Sequence, residues 1–179
     1  GMGGHAAGEV ASKVAVEAIN EFVVLTSGDE EITWPFGLDE NISYDGNRLQ
    51  TAIRYANRKV IEATRERAEY EGMATTIAAV LVESESANIG HVGDSRIYLF
   101  CEGALSQLTS DHSWVNEQIQ SGVISAEQAR SHPLRAATMP GFLPAMIPAL
   151  QIDYAEVNRR GDRLKALLDP AAAATVVTR

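Results

Sequence analysis

Apolar positions recur every four residues early in the chain: Val10, Val14, Ala18 and Phe22 form a stripe, and Lys13, Glu17 and Glu21 fall off it. That period predicts an amphipathic helix from about Glu9, whose carboxylate would suit the positive end of the helix dipole. A longer stripe, Leu49, Ile53, Ala56, Val60 and Ala63, leaves Arg54, Arg58, Glu62 and Glu66 on other faces and predicts a second helix. Residues 27–46 between them carry turn formers and three aromatics, Trp34, Phe36 and Tyr44, that read as buried. Each helix thus has one face to pack on something flat.

The period changes in the middle of the chain. Residues 75–82 are β-branched and apolar, 87–92 and 97–101 are short apolar runs, and 105–108 follows a turn at Glu102-Gly103. Closely spaced strands joined by tight turns, one of them Gly93-Asp94-Ser95-Arg96, predict an antiparallel meander. Residues 111–121 and 125–131 predict two short helices. Asp111 reads as the cap of the first, and Ser125, with Gln128 three residues on, as the cap of the second. Long helices followed by strands, with no repeat and no linker, predict one α+β domain over residues 1–179.

Composition narrows the function classes. No apolar run approaches the roughly 20 residues needed to cross a bilayer, and residues 1–9 lack the basic cluster of a signal peptide. A net charge of −9 argues against a general nucleic-acid binder, which needs clustered Lys and Arg. The single cysteine, Cys101, rules out an internal disulfide and fits a reducing cytoplasm. Lying in an apolar run, it reads as a buried, inert thiol.

Few residues invite chemistry on their own account. Gly1-Met2-Gly3-Gly4-His5-Ala6-Ala7-Gly8 reads as a Gly-rich loop, either a plain turn or a backbone cradle for a ligand. It is neither a dinucleotide fingerprint nor a phosphate loop, so a nucleotide-binding reading ranks last. His5 then reads as a loop histidine without a special role. A tight turn with nothing before it leads us to expect that an upstream strand is missing. Asp94 has two readings: it binds its own turn, or it aims a carboxylate at a hard divalent cation. Asp111-His112-Ser113 is not a catalytic triad, because sequence neighbours rarely converge as nucleophile, base and orienter.

Taken together these residues resemble a known family. The Gly1–Ser12 stretch is similar to the segment just after the metal-binding Asp of the type 2C, metal-dependent protein phosphatases. Gly72-Met73-Ala74-Thr75-Thr76 resembles that family's Gly-Met-Gly-Thr-Thr strand start, with Ala at the usual Gly. Ala87-Asn88-Ile89-Gly90-His91-Val92-Gly93-Asp94-Ser95-Arg96, followed by Tyr98-Leu99, resembles its central hairpin. Leu108-Thr109-Ser110-Asp111-His112-Ser113, and the segment to His132-Pro133-Leu134-Arg135, resemble the entry and flap of bacterial members. The motifs stand in family order over residues 1–135. The likeness weakens over 136–179, where Arg160-Gly161-Asp162-Arg163-Leu164 is similar to the approach to the third acidic motif.

The resemblance implies an α+β fold: an antiparallel β-sandwich flanked by helix pairs in four α-β-β-α layers, incomplete here. It implies hydrolysis of phosphoserine and phosphothreonine by a water activated by Mn2+ or Mg2+, two or three ions in the family, with no covalent intermediate. The implied partners are a phosphoprotein substrate and a serine/threonine kinase. The implied metal ligands are the carbonyl of Gly1, Asp94 at an additional site near the flap, and Asp169, eight residues after Gly161. Asp111, His112, His132 and Arg135 fall in the flap near the substrate, and no side chain is assigned as catalytic. The chain departs from the pattern in lacking the Asp before Gly1, the upstream phosphate-binding Arg and the final Asp-Asn motif. Pro170 also replaces the glycine expected after Asp169. The expectation is therefore a phosphatase truncated at both ends and impaired, the alternative a non-catalytic, phosphatase-like binding protein.

Overall fold

The computed structural model describes residues 4–27, 34–83, 86–101, 103–133, 150–153 and 174–178. The first helix, α1 (Gly4–Leu25), starts well before Glu9 and takes in Gly4, His5 and Gly8, so this part of the expected loop is helical. Glu9 accordingly lies beyond the first turn, which holds no acidic residue. The cause is packing: Ala7, Ala11 and Ala15 continue with Ala18, Ile19 and Val23 as the buried face. That gain outweighs the roughly 1 kcal/mol a helical glycine costs against alanine. Val10, Val14 and Phe22, the stripe visible in sequence, flank this face and are only half-buried.

The second helix, α2 (Tyr44–Glu66), is capped by Ser43, whose Oγ accepts from the Gly46 N–H at 2.9 Å. Its expected face holds: Leu49, Ile53, Ala56 and Val60 are buried against α1 and the sheet. Asn47, Arg48, Gln50 and Thr51 are buried too, so the first half of α2 is covered on more than one side. Arg48 meets Asp45 at 2.7 Å. It also donates to the carbonyl of Val23 at 2.9 Å and to Thr26 Oγ1 at 3.4 Å. One buried cation thereby satisfies a carbonyl at the open end of α1. The three aromatics expected as buried are not core: Phe36 and Tyr44, the latter the first residue of α2, are exposed, and Trp34 meets Tyr44 edge-on at 5.4 Å.

Strands β1 (Ile77–Glu83) and β2 (Ser86–Val92) form an antiparallel hairpin running from the Ile77–Val92 pair to Glu83–Ser86. Strands β3 (Tyr98–Cys101) and β4 (Ala104–Gln107) form a second hairpin and a separate sheet. Strand β5 (Leu150–Asp153) joins β2 antiparallel and β6 (Ala174–Thr178) joins β1 parallel, in the order β5-β2-β1-β6. The expected single meander is thus split. Residues 93–96 do not close a hairpin between β2 and β3; they carry the chain from one sheet to the other.

The period of two along the strands accounts for the split. Ala79 and Leu81 face the helices, while Ala78, Val80, Ala87 and Ile89 pack with Ile97 and Leu108 in a second core on the opposite face. A sheet apolar on both faces needs a layer on each side. The helix side is set by Gly90: a Cβ there would stand 2.5 Å from Ile53 Cδ1 and 3.3 Å from Leu49 Cδ2.

Helix α3 (Trp114–Gln120) is capped by Ser113 and not by Asp111, whose carboxylate is committed elsewhere. Helix α4 (Ala126–Arg130) carries the expected reciprocal box between Ser125 and Gln128. No helix among the described residues is long and apolar enough to cross a membrane. The side chain of Cys101 lies outside the described residues.

Candidate functional site

The turn at residues 93–96 requires its glycine. Gly93 has φ of 92°, and a Cβ there would lie 2.5 Å from Thr76 Cγ2. Thr76, the last residue of the Gly-Met-Ala-Thr-Thr segment, also hydrogen-bonds Ser95 through their hydroxyls at 2.7 Å. The turn is therefore braced by the lead-in to β1. Asp94 stands at its exposed apex. Among the described residues its carboxylate takes no hydrogen bond or ion pair. Of its two readings, the one in which Asp94 holds its own turn is not realised.

Behind the apex runs the 108–113 segment. Leu108 N–H donates to the Ile97 carbonyl at 2.8 Å, and Ile97 N–H donates to Thr109 Oγ1 at 3.1 Å. His112 and Gly93 are joined twice: the His112 N–H donates to the Gly93 carbonyl at 2.9 Å, and the Gly93 N–H donates to His112 Nδ1 at 3.2 Å. Arg96 forks onto Asp111, with Nε to Oδ1 at 2.7 Å and Nη2 to Oδ2 at 2.6 Å. A bidentate pair of this kind fixes orientation as well as distance. Its hydrogen bonds, first to Asp111 and then to Tyr98, hold the guanidinium proton even more tightly than usual.

His91 and His112 stack with ring centroids 4.4 Å apart and planes 28° apart. His91 is buried, and its Nε2 lies 2.8 Å from the Ser110 carbonyl. A carbonyl can only accept, so that nitrogen carries the proton. His112 Nδ1 accepts from Gly93, so its own proton belongs on Nε2. Burial lowers the pKa of His91, against the opposing pull of the Ser110 carbonyl and Asp111. Burial, and then the neighbouring His91, lower that of His112, again opposed by Asp111. Both shifts favour the neutral ring. The bond from Gly93 needs an unprotonated Nδ1 on His112, and a second positive charge in the stack would repel the first.

Of the candidate residues, Asp94, Asp111 and His112 come together on this turn. His132 lies further along, its ring 4.8 Å from that of Trp114. Gly1, Asp169 and Arg135 lie outside the described residues. Asp111, His112 and Ser113 diverge towards Arg96, Gly93 and the Asn116 N–H respectively, as expected of residues that do not form a triad. Sequence reasoning gave no role to His91 or Arg96. His91 could have been found, since the strand period puts it on the face of Ile89. The reach from Arg96 to Asp111 spans 15 residues with no local signal.

A divalent cation needs several hard oxygen ligands. At this turn one carboxylate, that of Asp94, is unengaged among the described residues, and nowhere among them is there a group of three His, Cys, Asp or Glu side chains that could hold a metal ion. By themselves the described residues do not fit a metal centre.

A family model for protein phosphatase 2C matches residues 1–140. The chain is 37% identical over 137 residues to a serine/threonine phosphatase, Stp, of Listeria monocytogenes, covering 74% of this chain and 49% of that protein. It is similar in structure to the serine/threonine phosphatase PstP/Ppp of Mycobacterium tuberculosis, with a TM-score of 0.66 and 31% identity, over 85% of this chain and 60% of that one. The PstP catalytic domain solved with two manganese ions is similar with a TM-score of 0.60 and 28% identity, over 85% and 58%. The chain spans about half the length of the Listeria phosphatase.

Proposed function

The chain belongs to the protein phosphatase 2C family, and from that premise we propose that it carries part of the catalytic domain of a protein phosphatase acting on phosphoserine and phosphothreonine. The observation that carries the reading is the match over residues 1–140, which includes the whole 93–112 site. In support, the site carries an exposed carboxylate at the apex of a braced turn, backed by two stacked imidazoles and a closed ion pair.

Metal dependence is part of the proposal. Manganese accompanies the PstP catalytic domain, and when bound, such ions supply an activated water and neutralise charge on the phosphoryl group. Asp94 is the proposed ligand within the described residues, and Gly1 and Asp169 the proposed ligands outside them. Asp94 would contribute a hard oxygen held by Gly93 and Arg96 on either side. Asp111, His112, His132 and Arg135 are proposed to lie beside the substrate. The substrates are then phosphoproteins made by a serine/threonine kinase, and the single cysteine favours the cytoplasm.

The test is phosphate release by the 179-residue chain from p-nitrophenyl phosphate and from a phosphothreonine peptide, with Mn2+, with Mg2+ and with chelator. Turnover should require metal, and Asp94→Asn should lower it by roughly tenfold or more. Equal release with chelator and with Mn2+ would overturn the metal-dependent reading. Peptide binding without turnover in any condition would favour the non-catalytic alternative.

A further inference from the structure

We propose that Arg96 and Asp111, with the stacked rings of His91 and His112 behind them, are positioning residues that couple the 114–133 segment to the turn bearing Asp94. As a claim about activity this rests on the phosphatase reading; as a claim about structure it does not.

The contacts form an unbroken path. Arg96, two residues after Asp94, holds the Asp111 carboxylate with both arms of its fork. Gly93, the residue before Asp94, is bonded in both directions to His112. On the far side, α3 grips the same segment. Asn116 Nδ2 donates to the Asp111 carbonyl at 2.8 Å and to Ser110 Oγ at 2.9 Å, and Gln120 Nε2 donates to Ser110 Oγ at 2.9 Å. Ser113 caps α3 from the end of this segment. The ring of Trp114, the first residue of α3, then meets His132 beyond α4.

Residues 110–112 are thus held on one side by the Asp94 turn and on the other by α3. Neither hold is apolar, so the junction cannot slide by repacking. A hydrogen bond lost here releases the segment from a defined position. The fork matters more than the charge alone, because a lysine cannot match a carboxylate with two parallel N–H groups. Order in 114–133 and the placement of Asp94 should therefore rise and fall together.

The experiment uses the full chain in a Trp34→Phe background, which leaves Trp114 as the single indole of the two in the sequence. Into it go Asp111→Asn, Arg96→Lys and the exchanged pair Arg96→Asp with Asp111→Arg. The readouts are acrylamide quenching of Trp114 and hydrogen exchange of the 114–120 amides, with the α2 amides as internal control. Asp111→Asn should speed exchange in 114–120 by about tenfold and raise quenching while α2 stays unchanged. Arg96→Lys should fall between it and the parent, and the exchanged pair should recover part of the protection.

If the parent hydrolyses phosphate esters, Asp111→Asn should lower kcat/KM for the phosphopeptide more than for p-nitrophenyl phosphate. The small ester makes little use of the segment. Unchanged quenching and exchange in Asp111→Asn would overturn the coupling. If that variant loses its far-UV circular dichroism, Arg96→Lys is read in its place by the same criterion. A parent chain without turnover counts against the phosphatase reading alone, because exchange and quenching still decide the coupling.

Discussion

Two of the junctions in the described part of the molecule are closed by different forces. Where α2 lies on β2, Leu49 and Ile53 press onto Gly90, and the contact is aliphatic. Where the 93–96 turn meets residues 108–112, the contact is a set of hydrogen bonds, an ion pair and a stacked pair of rings. Apolar burial is non-directional and brings roughly 0.8 kcal/mol per methylene. A hydrogen bond contributes only about 0.5–1.5 kcal/mol net, but it dictates an angle and a distance. The first junction decides which layers meet. The second decides where individual atoms of the Asp94 turn sit.

Substitutions can separate these roles. Ile53→Ala should have the largest effect, a loss of about 2–5 kcal/mol in urea denaturation, because it opens a cavity at the helix–sheet contact. Gly90→Ala should be costly in the parent and less so beside Ile53→Val, which removes the Cδ1 atom that the new methyl would strike. Equal costs in both backgrounds would show that the aliphatic junction does not rest on this close approach.

Gly93→Ala should come next, at about 2–4 kcal/mol, since it combines a positive φ with a collision against Thr76. Its mark should be local: the imidazole signals of His112 should shift in NMR spectra while amides along α2 do not. A uniform change across both regions would contradict the division drawn here.

The smallest effect should be that of pH. His91 and His112 have pKa values below the ordinary histidine value of about 6.5. Between that value and their own lowered values, the unfolded chain binds more protons than the folded one. Their contribution is therefore complete above about pH 6.5 and is lost as pH falls through the lowered range. The urea midpoint should decline from neutral pH towards about pH 5, and His112→Gln should flatten that slope. A midpoint that rises on acidification would rule out neutral rings in the fold.

What could be read in the sequence follows the same division. The face of α2 was legible because large aliphatic residues repeat at helical spacing. The face of α1 was displaced, because Ala7, Ala11 and Ala15 give a weaker signal than Val10 and Val14 beside them. The strands were legible as apolar runs, but their assignment to two sheets depends on which faces find partners across the chain. Asp94 stood out through its motif. The partnership of Arg96 with Asp111, and the use of Ser113 in place of Asp111 as the α3 cap, depend on a polar contact that local patterning does not encode.

Arg48 has a consequence for how the chain assembles. Its guanidinium is satisfied by Asp45 on its own helix and by Val23 and Thr26 at the end of α1. With α2 packed and α1 undocked, the guanidinium would lose the Val23 carbonyl and the Thr26 hydroxyl, and hydrogen bonds to a charged group contribute about 1.5–3 kcal/mol each. Each helix therefore favours the docking of the other through this one side chain, in addition to their shared apolar face.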